Sequence, residues 1–188
     1  MIFLHKNIRL HPAKYRGVQW HFVTLCCADR HRVFADVERA SWMVDQLRQH
    51  ATSHNFAVHA YCVMPEHLHA LAMGLDATSD LLAFLKTLKQ KTAYEFRGTF
   101  HRDLWQKKFY DHILRQKDSV ARVAAYIWMN PVRKGLCKEP QEYPYSGSFT
   151  LNWKGETPPG ETWVPPWKEK DKAPAQRRPL RNRRRLQR

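Results

Sequence analysis

The stretch Ala60-Tyr61-Cys62-Val63-Met64-Pro65-Glu66-His67-Leu68-His69-Ala70-Leu71-Ala72-Met73 organises the rest of the chain. It reads as one strand from Val58 to Val63, a tight turn at Met64-Pro65-Glu66 and a second strand from His67 to Met73. Strand side chains alternate between faces, so His67 and His69 point to one side and Leu68 to the other. Two imidazoles one strand repeat apart can bind one divalent cation together, while Leu68 anchors the strand in a core. A His-x-His spacing alone is common by chance, so the pair has to be judged by its company.

Upstream, Val18 to Cys27 is rich in β-branched and aromatic residues and reads as a first strand. Asp36 opens a helical run to about His54, with Trp42, Met43, Val44 and Leu47 near helical spacing. His50 and His54 sit one turn apart on it with no acidic or cysteinyl companion, and read as surface residues.

Downstream, a loop from Gly74 to Asp80 ends in helix-capping residues. Leu81, Leu82, Leu85, Leu88, Thr92 and Phe96 then trace a core stripe. Lys86, Gln90, Tyr94 and Arg97 trace a second stripe, either a solvated face or a track for nucleic acid. Phe100 to Arg115 reads as a strand or strand pair, its basic residues interleaved with aromatics as suits bases stacking beside phosphates; Trp105, Phe109 and Ile113 read as core. Asp118 can cap a helix from Ser119 to about Asn130, where Pro131 stops or kinks it.

The order strand, helix, strand, strand, helix, strand, helix fits an α+β class: a ferredoxin-like antiparallel sheet with helices on one face, plus an extra C-terminal helix and a disordered basic tail. The expected division is one domain over residues 1–150 and a Pro-rich, Arg-rich flexible tail over 151–188.

Charge points to the partner. The 188 residues carry a formal net charge of +15, and residues 172–188 hold Lys172 and seven arginines without an acid. Such a balance favours a polyanion, most simply nucleic acid, through salt-sensitive attraction to phosphates. Lys86, Lys89, Lys108, Tyr110, His112, Arg115, Arg122 and Arg133 are the candidate DNA contacts. The four cysteines form no C-x-x-C pair, and no apolar run approaches the ~20 residues that span a bilayer. A reduced, cytoplasmic, nucleoid-associated protein with no membrane contact is expected.

On the last helix, Val120, Val123, Ala124, Ile127 and Trp128 form an apolar face, and Arg122, Tyr126 and Asn130 line one border of it at one-turn intervals. Taken alone, that row also fits a half-buried tyrosine and a helix-ending asparagine. The blocks together resemble a known family. His67-Leu68-His69 is the His-hydrophobic-His motif of the HUH single-strand endonucleases. Tyr61-Cys62-Val63-Met64-Pro65-Glu66-His67-Leu68-His69, Leu104-Trp105-Gln106 with Phe109-Tyr110-Asp111-His112-Ile113-Leu114-Arg115, and Ala125-Tyr126-Ile127-Trp128-Met129-Asn130-Pro131-Val132-Arg133-Lys134-Gly135-Leu136 look like the REP-associated branch of the single-tyrosine transposases. The likeness covers about residues 8–150.

The resemblance implies that Tyr126 is the nucleophile, that His67 and His69 are metal ligands, and that Asn130 completes the metal site, its amide oxygen suiting Mg²⁺ or Mn²⁺. It further implies cleavage of single-stranded or hairpin DNA through a 5′-phosphotyrosine link, by a monomer or a homodimer. A free phenol, with pKa ~10, is about one part in a thousand ionised at neutral pH, a deficit of roughly 4 kcal/mol, so a cation must recover part of it. The metal and Arg122 are the candidates, and Glu66 is a weak candidate base. Tyr94 and Tyr110 are rival nucleophiles on spacing alone. The alternative class is a ferredoxin-like binding module without chemistry, holding single strands by aromatics and charge.

Overall fold

A computed structural model describes residues 10–116, 118–155 and 163–166. Its centre is the hairpin of β2 (Phe56–Met64) and β3 (His67–Gly74), joined through Pro65-Glu66. The strand β1 (Trp20–Cys26) pairs with β3, β4 (Tyr110–Ile113) pairs with β1, and β5 (Ser146–Gly147) pairs with β2. The order is β4-β1-β3-β2-β5, antiparallel throughout, which is the ferredoxin-like arrangement with one short strand added.

Both faces of this sheet are covered, so its central strands read as nearly continuous apolar runs. On one face lie α1 (Val37–Ser53) and α2 (Leu81–Phe100), packing Met43, Leu47, Phe84, Leu85 and Leu88 onto Val23, Leu25, Val63, Leu68 and Ala70. Each helix starts on an aspartate. Asp36 Oδ1 accepts the Arg39 N–H at 2.9 Å, and Asp80 Oδ1 accepts the Ala83 N–H at 3.1 Å. On the opposite face lies α3 (Val120–Trp128), with Val123, Ala124 and Ile127 against Phe22, Ala60, Cys62, Met64 and Leu71.

A break at Met129 separates α3 from the single turn α4 (Asn130–Arg133), where Pro131 sits at the helix start, in the first turn that tolerates it. Proline therefore kinks the run and does not end it. The cap of α3 is Ser119, whose Oγ accepts the Arg122 N–H, and not Asp118. The Asp118 carboxylate is already taken by the Arg115 N–H at 2.8 Å and His112 Nε2 at 3.0 Å.

Three further expectations are corrected. The strand expected from Phe100 begins only at Tyr110, because α2 runs to Phe100 and ends on His101 in the left-handed region. His50 is not a surface residue: it is 8% exposed, and its Nδ1–H donates to Gln46 O at 2.9 Å. The boundary at 150 is too early, since Trp153 is buried and stacks on Trp128 with ring centroids 4.9 Å apart. The arginines expected as a basic arm lie outside the described residues.

Candidate nuclease site on the α3 face of the sheet

Register assembles the site. Directly opposed residues of an antiparallel pair share a face. His69 is opposite Thr24 on β1 and Cys62 on β2, and His67 is opposite Cys26 and Met64. On β4, Tyr110 opposes Thr24 and His112 opposes Phe22. The two histidines therefore sit at the end of the central strand on the face that α3 covers, with Tyr110 and His112 on the same side.

The two imidazoles are buried, with ring centroids 4.5 Å apart and their Nε2 atoms 3.0 Å from each other. Each Nδ1 is engaged from behind. Glu66 Oε1 lies 3.2 Å from His67 Nδ1, and Thr24 Oγ1 lies 2.8 Å from His69 Nδ1. A carboxylate accepts only, so His67 carries its proton on Nδ1 when neutral and turns an Nε2 lone pair inward. With the Thr24 hydroxyl donating, His69 Nε2–H bonds that lone pair. With Thr24 accepting, two lone pairs meet and a shared cation satisfies both. Burial holds His67 below the ordinary imidazole pKa, the Glu66 carboxylate opposing that shift. A neutral imidazole backed by an oxygen is the form in which histidine binds metal.

From α3, the Tyr126 ring reaches this pair, its centroid 6.1 Å from that of His69 and 6.1 Å from that of Phe22. Tyr126 is 6% exposed. Arg133 folds back from α4: its Nη2 donates to Tyr126 O at 2.7 Å, and its Cζ lies 4.3 Å from the Tyr126 ring centroid. Asn130, one turn past Tyr126, is buried, and its Nδ2 has no hydrogen-bond partner among the described residues. A buried N–H left short of a partner costs about 1–3 kcal/mol, and only the amide oxygen of Asn130 could serve a cation. The paired imidazole nitrogens are the metal-type donors the structure brings together, with Asn130 buried one turn past Tyr126. Among the described residues, no group of three or more His, Cys, Asp or Glu could hold a metal.

The structure separates the rival tyrosines. Tyr94 is 81% exposed on α2, across the sheet from the imidazoles. Tyr110 shares the histidine face, but burial and then Asp111 push its phenol up to about 12, away from the ionised form. Among the candidate DNA contacts, Lys86, Lys108, Arg115, Arg122 and Arg133 are exposed. Lys89 is engaged within the fold. Its Nζ donates to Gln106 O at 2.8 Å and Lys107 O at 3.1 Å, tying α2 to the segment before β4.

Sequence reading missed Thr24, Phe22 and the position of Arg133 over the phenol. It also missed Trp163, whose ring lies 5.5 Å from Tyr126 and 5.2 Å from Phe22. Strand register would have exposed the first two; the others come from segments whose path no local pattern encodes.

Comparison with known proteins bears on the family and the fold. Residues 14–130 match the profile of a family described as IS200-like transposases. A Haemophilus influenzae protein assigned as a REP-associated tyrosine transposase is 27% identical over 155 residues, covering 76% of this chain and 86% of that one. The REP-associated tyrosine transposase of Escherichia coli K12 is 24% identical over 109 residues, covering 54% of this chain and 64% of its own. A solved REP-associated tyrosine transposase bound to a REP hairpin superposes with a TM-score of 0.62 at 20% identity, over 75% of this chain and 81% of that chain, a likeness of fold. No described helix is long and apolar enough to cross a membrane.

Proposed function

Because this chain belongs to the IS200-like transposase family, we propose that it cuts and rejoins single-stranded DNA flanking hairpin-forming repeats, with Tyr126 as the nucleophile. The observation that carries the reading is the approach of the Tyr126 and His69 rings, 6.1 Å between centroids, on one face of one sheet.

In the proposed step, Tyr126 Oη attacks a backbone phosphorus. The bond from phosphorus to the 3′ oxygen breaks, a tyrosine–phosphorus bond forms, and the phenolic proton leaves while the released 3′ oxygen gains one. The product is a 5′-phosphotyrosine and a free 3′-hydroxyl. No bond energy is lost to water, so the 3′-hydroxyl of another strand can reverse the step.

His67, His69 and Asn130 would hold a divalent cation. When bound, that cation supplies Lewis-acid polarisation of a non-bridging phosphate oxygen. Glu66 and Thr24 orient the imidazoles from behind. Arg133 places positive charge over the phenol ring, where it offsets negative charge developing on the attacking oxygen. The exposed cations hold phosphates without reading bases, and the arginines of residues 177–188 add to that attraction.

The test is incubation with end-labelled hairpin oligonucleotides carrying a randomised single-stranded flank, with Mn²⁺ or Mg²⁺, followed by denaturing electrophoresis. A covalent protein–DNA adduct should form, vanish with EDTA, and be absent in Tyr126→Phe while binding persists. Binding without any adduct or nick would favour the binding module without chemistry, and nicking that ignores EDTA would remove the cation from the mechanism. Adducts in Tyr126→Phe would remove the phenol from the mechanism.

A further inference from the structure

The two imidazoles are backed by different chemistry. Glu66 Oε1 lies 3.2 Å behind His67 Nδ1, and Thr24 Oγ1 lies 2.8 Å behind His69 Nδ1. A carboxylate only accepts, whereas a hydroxyl donates or accepts by turning about its C–O bond. Glu66 therefore fixes the tautomer of neutral His67, and Thr24 leaves that of His69 open. Between the rings the Nε2 atoms are 3.0 Å apart. That is a hydrogen-bond distance, too close for two facing lone pairs with nothing between them. The cation-free chain resolves this with one proton: His69 donates its Nε2–H to His67 Nε2, and the Thr24 hydroxyl donates to His69 Nδ1. Thr24 is placed for this on β1, directly opposite His69, and both residues are buried.

We infer that Thr24 is a positioning residue that lets His69 change tautomer, so that a divalent cation replaces the bond between the imidazoles without leaving a buried ring nitrogen unpaired. The inference rests on the proposed function, since that reading puts a cation between His67 and His69. No net proton is gained or lost in the exchange. The His69 proton passes from Nε2 to Nδ1, and the Thr24 hydroxyl turns from donor to acceptor. The Nε2 lone pairs of both rings then become available together. An imidazole whose Nδ1–H is held by an oxygen is the form that ligates metal. A valine at position 24 would serve neither tautomer. A second carboxylate there would hold both lone pairs face to face whenever the cation was absent. A hydroxyl serves both states. Rupture of the bond between the rings lowers the affinity for every cation alike, so the pair stays closed until cation is plentiful.

The test reads tautomers directly, in the full chain without DNA, labelled with ¹⁵N in its histidines. Long-range ¹H–¹⁵N correlation spectra identify the protonated nitrogen of each ring, the His69 signals being those absent from a His69→Gln chain. Without cation, His69 should carry its proton on Nε2 and His67 on Nδ1. Saturating Mg²⁺, which is diamagnetic, should move the His69 proton to Nδ1 and leave that of His67 in place. Thr24→Val keeps the outline of the side chain and removes the hydroxyl. It should weaken Mn²⁺ binding, read by electron paramagnetic resonance, about tenfold or more, and Thr24→Ser should restore it. His69 already protonated on Nδ1 in the cation-free chain overturns the role of Thr24. So does Mn²⁺ binding that Thr24→Val leaves unchanged or that Thr24→Ser fails to restore. A parent chain that binds neither cation overturns the metal site itself, and the exchange with it, whatever the cation-free tautomers.

Discussion

His21 has none of its surface exposed, and neither ring nitrogen is paired among the described residues. It projects from β1 toward Tyr15 and Phe56, and burial lowers its pKa to about 4. Between the unfolded value near 6.5 and about 4, the unfolded chain binds a proton that the native one refuses. Stability from this residue is therefore intact above pH 6.5 and falls as pH drops through that window, by about 3 kcal/mol in total. Urea unfolding at pH 7 and pH 4.5 should show His21→Leu losing less stability on acidification than the parent chain, by about 2 kcal/mol. Asn130 makes the complementary case. Asn130→Leu should raise thermal stability in EDTA by about 1 kcal/mol, since it removes a poorly satisfied buried amide. On the proposed metal site, Mn²⁺ should raise the unfolding midpoint of the parent chain, and Asn130→Leu should abolish that rise. Loss of the shift without the gain would mean that the amide is structurally paired.

The elements divide by how local their causes are. β1, β2, β3, α1 and α2 were legible because strand and helix periods, and the aspartates before each helix, are written in contiguous residues. The segment 100–115 was not: its aromatic alternation resembles a long strand, yet α2 keeps its hydrogen bonds to Phe100 and only Tyr110–Ile113 pairs with β1. Asp118 and Ser119 are both good caps, and only the tertiary partners of Asp118 decide between them. The histidine pair and Tyr126 could be picked from sequence, whereas Thr24, Arg133 and Trp163 depend on register and long-range packing. A bulge adds to this. The register of β2 shifts between Val58 and Ala60, so Val58 and Tyr61 face the same core although they are an odd number of residues apart.

Contacts between elements can be probed one side chain at a time. Lys89→Met should cost about 1–2 kcal/mol in urea unfolding by orphaning two carbonyls, and should leave the salt dependence of DNA binding unchanged. Lys86→Ala, by contrast, should leave stability unaffected; a reduced salt slope would mark Lys86 as a phosphate contact. Gly147 on β5 is the second case. A Cβ there would come within 2.6 Å of Tyr61 Cζ, while Gly147 O accepts the Trp128 indole N–H at 3.0 Å. Gly147→Ala should therefore cost about 1–3 kcal/mol and shift α3, lowering adduct formation more than DNA binding.

For the whole molecule, one sheet separates two jobs. The α1/α2 face is a packed core, and the α3 face gathers the two imidazoles and the Tyr126 phenol. The net charge of +15 makes DNA affinity steeply salt-dependent, the logarithm of the binding constant falling linearly with the logarithm of salt concentration. The imidazole strand and the tyrosine helix come from the same polypeptide. Adduct yield per chain should then stay constant on dilution, and mixing a His67→Ala chain with a Tyr126→Phe chain should restore nothing. On the proposed function each copy would carry its own nucleophile and imidazole pair, so a lone molecule stranded on a repeat would begin the reaction without waiting to meet its twin.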